Sequence, residues 1–236
     1  MSSTRLAGKV LKPILGAPML TLQLERTGRA GGIDRLIVAT SEGDDDDPIE
    51  TLCREHGVDC FRGSLEDILD RYYQAALPHN PDHVVRLTGD CPLADPEIID
   101  AVIKLHLDGG YDYSSNVYPP SWPDGLDVEV MRFSCLKQAA MEARLPSERE
   151  HVTFYFTNRP DEFRLGNLKG AQNLTHLRWT VDRPEDFELV NEIYAALYPD
   201  NPKFSTGDIL ALLQVRPELS DINAGVRRNE GHKKSF

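Results

Sequence analysis

The sequence predicts an α/β fold in which helices cover both faces of a doubly wound, mostly parallel sheet. Three short segments rich in apolar residues, at 36–40, 58–61 and 84–87, are typical of strands in such a sheet. Segments with helical spacing of their apolar residues separate these strands, and that alternation is the pattern of strand-helix-strand units. The 236 residues contain no internal repeat and no low-complexity linker, so we expect a single domain over 1–236.

Cap residues, prolines and glycines set the limits of the predicted helices. We interpret the acidic run before the first helix as a solvated loop in which Asp47 caps that helix, in preference to a metal-binding loop. Asp95 and Pro96 begin a long helix, which ends at Gly109 and Gly110. The other predicted elements are helices over 48–56, 65–77 with Ser64 as cap, 136–143, 147–158 with a capping box of Ser147 and Glu150, 185–197 and 206–213, and a strand over 177–181.

The composition limits the classes of partner. The formal net charge is -12 at pH 7, and this excess of acid argues against nucleic acid or an anionic membrane as a partner. A few local cations can still hold a nucleotide. No apolar run approaches the length of a membrane span. The four Cys residues form no C-x-x-C pair, which is typical of reduced thiols in a cytoplasmic protein.

Residues 2–9 have the composition of a loop that binds a triphosphate. Small residues and Gly let backbone N–H groups approach a phosphate closely, and Arg5 and Lys9 supply positive charge. The segment is not a Walker A loop, which would need Gly at position 3 and Ser or Thr at position 10, where this chain has Ser3 and Val10. The alternative for these residues alone is a basic, frayed N-terminus.

Two carboxylates follow predicted strands. Asp90 lies just beyond the strand at 84–87, and Asp182 follows the strand at 177–181. Ligands of open α/β sheets bind beyond the carboxyl ends of the strands, and Mg²⁺ takes one or two carboxylates together with substrate phosphates. The two carboxylates and Lys9 therefore suit a magnesium-nucleotide site. The alternative is that each carboxylate caps the helix that follows it.

Motifs that run nearly from end to end carry a resemblance to a known family. They are S-T-R-L-A-G-K-V-L at 3–11, G-A-P-M-L at 16–20, V-A-T at 38–40, F-R-G-S at 61–64, R-Y-Y at 71–73, R-L-T-G-D-C-P-L at 86–93, G-L-D-V-E-V at 125–130, S-E-R-E-H-V-T at 147–153 and R-W-T-V-D-R-P-E-D at 178–186. The sequence resembles the cytidylyltransferases of the spore-coat polysaccharide biosynthesis type. It is similar, at a greater distance, to the enzymes that make CMP-3-deoxy-octulosonate and CMP-sialic acid.

The sequence departs from the family pattern in two places. Ala7 stands where Pro is usual, so the loop should be less rigid. The family also has an apolar first strand before the loop, and this chain begins after that position. We therefore expect either that the sheet lacks its first strand or that the true start codon lies upstream of Met1.

The resemblance implies a sheet of the nucleotide-diphospho-sugar transferase type. It implies transfer of CMP from CTP to a sugar acid, with release of pyrophosphate, in surface polysaccharide or glycan biosynthesis. The nucleotide would bind the half at about 1–110 and the sugar the half at about 111–236. Mg²⁺ on Asp90 and Asp182 is the implied cofactor. CTP and a sugar acid are the implied partners, and a homodimer is compatible with the resemblance.

The resemblance also implies roles for individual residues. Lys9 and Arg5 would hold the triphosphate, and Arg149 could pair with a sugar carboxylate in a bidentate manner. The residues implied for the nucleotide are Ser2, Ser3, Gly8, Thr40, Arg62, Gly63, Ser64, Arg71 and Thr88. The residues implied for the sugar are Asn116, Asp124, Gly125, Asp127, Arg149, Glu150 and His151.

Three other functions stay open. A nucleotidyltransferase that uses UTP or GTP would carry the same loop, because the choice of base is not visible in the sequence. A glycosyltransferase would have a related sheet but usually an Asp-x-Asp at a strand end, and here that pattern occurs only in the loop at 44–47. A truncated nucleotide-binding protein without activity is the third, because losing the first strand would leave backbone groups of its neighbour unpaired.

Overall fold

Helices and short strands alternate in the computed structural model, which describes residues 6–226 and Arg228. The helices are α1 (Met19–Thr27), α2 (Asp47–Glu55), α3 (Ile68–Ala76), α4 (Pro96–Gly109), α5 (Phe133–Glu142), α6 (Pro146–His151), α7 (Phe154–Thr157), α8 (Pro184–Leu197), α9 (Thr206–Val215) and α10 (Glu218–Asp221). The strands are β1 (Pro13–Ile14), β2 (Ala17–Pro18), β3 (Ile37–Ser41), β4 (Asp59–Gly63), β5 (His83–Arg86), β6 (Tyr113–Ser115), β7 (Glu129–Arg132) and β8 (Leu165–Asn167). Within this part of the chain, no helix is both long and apolar enough to cross a membrane.

The pairing of the strands is mixed. β3 pairs with β4 in parallel, while β5-β7-β6-β8 form a four-stranded sheet in which β7 runs antiparallel to both of its neighbours. β1 and β2 form a small antiparallel hairpin. The prediction of a mostly parallel sheet is therefore wrong for the described strands. The cause is the connection from β6 to β7, which is a loop, whereas a parallel neighbour needs a long crossover that is usually helical.

The three predicted strands at 36–40, 58–61 and 84–87 are confirmed, within two residues, as β3, β4 and β5. β3 and β4 run in the same direction, so their carboxyl ends meet at one edge. β5 belongs to the other sheet, and no pairing joins the two sheets among the described residues. The strand that the family pattern would add before residue 1 stays a prediction.

Helices pack on both faces of the four-stranded sheet, as a doubly wound fold requires. Val130 and Met131 are neighbours in β7, and both are buried because successive residues of a strand point to opposite faces. Val130 packs in a cluster with side chains of α4, α8 and α9. Met131 packs in a second cluster with α3, α5 and α7, which also holds Tyr73. β7 is therefore covered on both sides, and the loop before it is supported from both.

The predicted strand at 177–181 is absent. Trp179 and Val181 are buried, as the apolar pattern indicates, but the segment is reduced to an isolated parallel bridge between Arg178 and Asp124 and joins none of the described sheets. The N–H of Trp179 donates to the carbonyl of Asp124 at 2.6 Å, and the N–H of Val181 donates to the carbonyl of Asp90 at 2.8 Å. The apolar pattern therefore predicts the burial of this segment and not its pairing.

The predicted helix over 147–158 is split into α6 and α7. The break lies at Val152, whose φ of 55° is in the left-handed region that a β-branched residue rarely adopts. The expected capping box of Ser147 and Glu150 is also absent, because α6 begins one residue earlier and its N-terminal flanking residue, Leu145, makes no side-chain cap.

The remaining caps divide into confirmed and shifted ones. Asp95 caps α4 through its side chain, and Gly110 in the left-handed conformation ends that helix, both as predicted. The cap of α3 is Asp67 and not Ser64, whose hydroxyl instead accepts from the N–H of Asp67. Asp47 does not cap α2 but is its first helical residue. Such shifts arise because several acceptors near a helix start compete for the same N–H groups.

Two histidines form a hydrogen-bonded row between β5, α4 and β6. His83 Nδ1 lies 3.0 Å from His106 Nε2, and His106 Nδ1 lies 3.1 Å from the hydroxyl of Ser114. His106 is fully buried. Burial, with help from His83 and Arg132, lowers the pKa of His106 to about 4. Each histidine in the row is therefore most stable as the neutral imidazole.

We expect the row to weaken the fold in mild acid. The pKa of His106 is lower in the folded state than its ordinary value of 6.5, so the stability that it contributes is complete above pH 6.5 and is lost as the pH falls towards 4. The expected loss is on the order of 3 kcal/mol. Urea unfolding between pH 7.5 and 4.5 measures it. His106→Gln should flatten this pH dependence, and His79→Gln, an exposed control, should not. An unchanged slope for His106→Gln would refute the assignment.

Candidate active site

Lys9 joins the two carboxylates that the sequence analysis singled out. Its Nζ lies 2.8 Å from Asp90 Oδ2 and 2.8 Å from Asp182 Oδ1, and only 12% of its side chain is exposed. Burial alone would lower the pKa of Lys9, but Asp90 and Asp182 outweigh it and raise that pKa. Gly8, with φ of 64°, turns the chain so that Lys9 can begin a short 3-10 helix over 9–11. Three predicted residues thus meet at one point.

Neither carboxylate is a helix cap. Asp95 caps the helix that follows Asp90. At the start of α8, the side chain of Asp186 accepts from the N–H groups of Asp182 and Arg183 at 3.0 Å each. Asp186 therefore takes the capping role that was the alternative for Asp182. The ion pairs with Lys9 are then the main side-chain contacts that Asp90 and Asp182 share.

The loop that carries Asp90 is held by α1. Gln23 donates from Nε2 to the carbonyl of Thr88 at 2.7 Å, and its Oε1 accepts from the N–H of Cys91 at 3.2 Å. Gln23 is buried. Thr88, a predicted nucleotide residue, lies beside Cys91, with 3.1 Å between its hydroxyl and the Cys91 Sγ. Sequence reasoning missed Gln23, and its one signal was a polar residue between the apolar positions of an unpredicted helix.

Arg178 holds three carboxylates. Its Nη1 lies 2.7 Å from Asp124 Oδ2, its Nη2 2.8 Å from Asp182 Oδ2 and its Nε 3.0 Å from Asp186 Oδ1. Burial would lower the pKa of Arg178, but the carboxylates, Asp186 foremost, raise it. Arg178 is therefore a permanent buried cation that orients Asp182 for Lys9. The sequence analysis quoted it in a motif and assigned it no role, because its partners lie together only in the folded chain.

Gly125 lets the loop that contains Asp124 and Asp127 approach the segment of Arg178. Its φ is 107°, and a Cβ there would lie 2.4 Å from the backbone N of Thr180. No larger residue fits without moving the backbone. The carbonyl of Asp124 accepts from the N–H of Thr180 at 3.0 Å, which fixes this approach. Asp124 and Gly125 are thus brought into the same site as Asp182.

Asn116 supports that loop from below. Its Nδ2 donates to the carbonyl of Leu126 at 2.7 Å, and its Oδ1 accepts from the N–H of Val128 at 2.9 Å. Asn116 is fully buried, so its described contacts position the loop around Asp127. A direct contact with a sugar stays a prediction.

Asp127 is the second acid of this loop. Its Oδ1 accepts from Arg228 Nη2 at 2.8 Å. Burial raises the pKa of Asp127 to about 7 against the opposing effect of Arg228. Burial also raises the pKa of Asp124, which Arg228 and Arg178 oppose. Sequence reasoning missed Arg228, because it lies in a polar segment without periodicity.

The other predicted nucleotide residues lie at the carboxyl ends of β3 and β4. Thr40 donates from its hydroxyl to the buried Asp46 at 2.6 Å. Arg62 pairs with Asp47 at 2.9 Å and with Glu50 at 2.8 Å. The acidic run is thus bound to these two strands through its own side chains. These contacts agree with a structural loop more closely than with a metal-binding loop, although Asp47 is not the cap of α2.

Arg71 lies on α3 beside the carboxyl end of β4. It donates from Nη1 to the carbonyl of Ser64, and its Nε is buried without a hydrogen bond. Burial lowers the pKa of Arg71, and Arg86 lowers it further, against Tyr72 and Asp46. Gly63 lies beside it, since a Cβ there would lie 3.2 Å from Arg71 Cγ. The guanidinium groups of Arg71 and Arg86 are therefore close enough for the charge of one to affect the pKa of the other.

Arg86 is the centre of a buried polar network that the sequence analysis did not assign. It forms an ion pair with Glu129, which also accepts from the hydroxyl of Tyr113 at 2.6 Å. The ring of Tyr72 lies 5.6 Å below its guanidinium, and the Tyr72 hydroxyl donates to the carbonyl of Leu87 at 3.1 Å. Tyr72 is therefore a platform for Arg86 as well as part of the packing.

The predicted triplet at 149–151 lies on α6 against α3. Arg149 donates from Nε to Asp67 Oδ2 at 3.0 Å and from Nη1 to the carbonyl of Ala140 at 2.7 Å. With Glu150 it lines a groove of about 510 Å³. His151 ends α6. The described contacts of Arg149 thus balance its charge within the chain, and sugar contacts of the triplet stay predictions.

Three predicted residues, Ser2, Ser3 and Arg5, lie outside the described residues. The predicted metal site can be tested on the two carboxylates that are described. Asp90 and Asp182 converge on one cation, the Lys9 ammonium, and both offer the hard oxygen donors that Mg²⁺ takes together with phosphates. They fit a divalent cation held jointly with a substrate. No group of three or more His, Cys, Asp or Glu that could hold a metal occurs in the described ranges.

Comparison with known proteins identifies the family of this chain. The sequence model of a family described as Cytidylyltransferase matches residues 1–211. The chain belongs to the cytidylyltransferase family. It is 33% identical over 227 residues to the spore coat polysaccharide biosynthesis protein SpsF of Bacillus subtilis, and the match covers 93% of each chain.

Two further relatives of this cytidylyltransferase define the fold and the breadth of the family. A solved cytidylyltransferase structure from Leptospira borgpetersenii is similar with a TM-score of 0.88 and 32% identity, covering 93% of this chain and 92% of that one. A 3-deoxy-manno-octulosonate cytidylyltransferase of Zea mays is 41% identical over 106 residues, which are 43% of this chain and 34% of the maize protein. The fold is that of the nucleotide-sugar transferases.

Proposed function

We propose that this cytidylyltransferase transfers CMP from CTP to a hydroxyl of a sugar acid and releases pyrophosphate, with a divalent cation, Mg²⁺ by preference, on Asp90 and Asp182. The observation that carries the proposal is the shared contact of Lys9 with both carboxylates. The family and its 3-deoxy-manno-octulosonate relative support the cytidylyl group and the acid acceptor.

The reaction asks the protein mainly for positioning and for balance of charge. The acceptor hydroxyl must approach an α-phosphate that is surrounded by negative oxygens, so cations and fixed dipoles lower the barrier. A bound divalent cation supplies charge to the phosphates and acidity to the hydroxyl. Lys9 is within reach of both carboxylates and is permanently charged, so it can turn towards the phosphates when these carboxylates have another partner. Arg178 keeps Asp182 in place throughout.

Release of pyrophosphate tests the proposal. CTP, UTP, GTP and ATP are each combined with 3-deoxy-manno-octulosonate, a nine-carbon nonulosonate and a neutral hexose, with Mg²⁺ or with EDTA. We expect turnover with CTP and an acid, and its loss with EDTA. Preference for UTP or GTP would replace the nucleotide in the proposal. Activity with a UDP-sugar donor but with no free triphosphate would instead identify a glycosyltransferase.

A further inference from the structure

The segment after α10 returns to the candidate active site. Asn223 is buried, and its Nδ2 donates to the carbonyl of Arg178 and to Asp186 Oδ1, at 2.9 Å each. This anchor lies on the same arginine that orients Asp182. The family match ends at residue 211, so the contact comes from a part of the chain that the family pattern does not describe.

Arg228 continues this contact into the loop of Asp127. Its Nη2 lies 2.8 Å from Asp127 Oδ1, and its Nη1 donates to the carbonyl of Trp122 at 3.0 Å. Only 15% of the side chain is exposed. A guanidinium carries five N–H donors in a rigid fork, and the described residues engage two of them. Arg228 is thus fixed in direction and keeps donors for a further acceptor.

The charges around the loop of Asp127 show why a bound anion would need a cation such as Arg228. Among the described residues, five carboxylates meet three cations here. They are Asp90, Asp124, Asp127, Asp182 and Asp186, with Lys9, Arg178 and Arg228. An acidic acceptor that enters this surface is repelled unless one cation faces it, because charges in a partly buried site are poorly screened.

The other cations of the site are already engaged. Lys9 forms ion pairs with Asp90 and Asp182, and in the proposed function it contacts the phosphates of CTP. Arg178 is divided among three carboxylates. Arg149, the predicted partner of a sugar carboxylate, is bound to Asp67.

We propose that Arg228 binds the carboxylate of the acidic acceptor and so selects sugar acids over neutral sugars. This inference rests on the proposed function and adds the residue that recognises its second substrate. Asp127 and the carbonyl of Trp122 are positioning groups that hold the fork. One guanidinium can serve several carboxylates in this fold, as Arg178 does.

The competing role for Arg228 is that of a counter-ion for Asp127 alone. Both roles predict damage from Arg228→Met, since it leaves Asp127 buried without its partner. They differ in the double variant Asp127→Asn with Arg228→Met, because this variant removes the carboxylate as well. A counter-ion role predicts recovery in the double variant, whereas acceptor binding predicts that the defect persists.

The experiment measures pyrophosphate release against acceptor concentration at saturating CTP, and against CTP at saturating acceptor. The acceptors are 3-deoxy-manno-octulosonate, a nonulosonate and the carboxamide of whichever acid the wild type uses. The variants are Arg228→Met, Arg228→Lys and the double variant. Arg216→Met is the matched control, because Arg216 also lies beyond the family match and forms partly exposed ion pairs away from this loop.

We expect Arg228→Met to raise the KM for the acid by about tenfold or more and to change the KM for CTP by less than about twofold. Arg228→Lys, which keeps the charge but loses the fork, should show a smaller rise. The double variant should behave as Arg228→Met does. The wild type should prefer the acid to its carboxamide, and Arg228→Met should lose that preference.

Three results would overturn the inference. The first is an unchanged KM for the acid in Arg228→Met, and the second is a wild-type KM for the acid in the double variant. The third is an Arg228→Met variant that still prefers the acid to its carboxamide. If Arg228→Met does not fold, as thermal unfolding will show, Arg228→Lys and the double variant decide. A wild type that uses neither acid overturns the proposed function and this inference together, whereas normal turnover without these effects overturns the inference alone.

Discussion

Turnover should fall by more than about a hundredfold when Asp90 or Asp182 is replaced by asparagine. Asparagine keeps the shape of the side chain and removes its negative charge. At either position, the carboxylate oxygen that is lost lies 2.8 Å from Lys9 Nζ. Loss of one electrostatic stabiliser of a transition state costs about 3 kcal/mol. The side-chain oxygen of asparagine can still accept a hydrogen bond from Lys9, and Arg178 keeps its pairs with Asp124 and Asp186, so the free energy of unfolding should change less than the barrier does.

Pyrophosphate release and thermal unfolding on the same sample separate the two effects. Asp59→Asn is the matched control, because Asp59 is also paired, with Arg35, but both side chains are more than half exposed. We expect this control to keep both turnover and stability. If Asp90→Asn and Asp182→Asn retain turnover, the two carboxylates are structural and the candidate active site is wrongly placed.

Replacement of Arg178 by methionine should lower the free energy of unfolding by about 3–5 kcal/mol. The variant leaves Asp124, Asp182 and Asp186 without the cation that they share, and each of these side chains is at most 15% exposed. Asp182 keeps its ion pair with Lys9, but the other two carboxylates lose the ion pair with Arg178 in a place that solvent barely reaches, which is costly. Urea unfolding measures the change.

Two variants complete this test. Arg35→Met removes an exposed ion pair, whose contribution is about 1 kcal/mol or less. Arg178→Lys keeps the charge, but a single ammonium cannot reproduce a fork that contacts three carboxylates, so its loss should be intermediate. Equal stability of Arg178→Met and Arg35→Met would show that solvent reaches the buried cluster.

The parts of the fold that the sequence predicts are those with local signals. α4 is predictable because Asp95 and Gly110 mark both of its ends within a few residues. The split between α6 and α7 is not, because Val152 adopts a conformation that only tertiary packing imposes. The segment at 177–181 has the composition of a strand, but whether a strand forms depends on a partner elsewhere in the chain.

The candidate site divides in the same way. Lys9, Asp90 and Asp182 are predictable because a basic loop and acids beyond apolar segments have meaning in sequence alone. Arg178 and Arg228 are not, because their roles depend on partners that the fold brings together. Arg228, for example, contacts Asp127, which lies 101 positions away in the sequence, and no local sequence pattern predicts that contact.

The ion pairs of this site can form only late in the synthesis of the chain, because their residues lie far apart in the sequence. Lys9 and Asp182 lie 173 positions apart, and the ribosome releases the N-terminal end first. A nascent chain that has not reached Asp182 therefore carries Lys9 and Asp90 without the residue that completes their cluster. The long loop between Lys9 and Asp182 can close only after both residues have been synthesised, and its closure costs conformational entropy. Helices and strands that precede Asp182 can form early, whereas the cluster of Lys9, Asp90 and Asp182 is complete only when Asp182 has joined the fold.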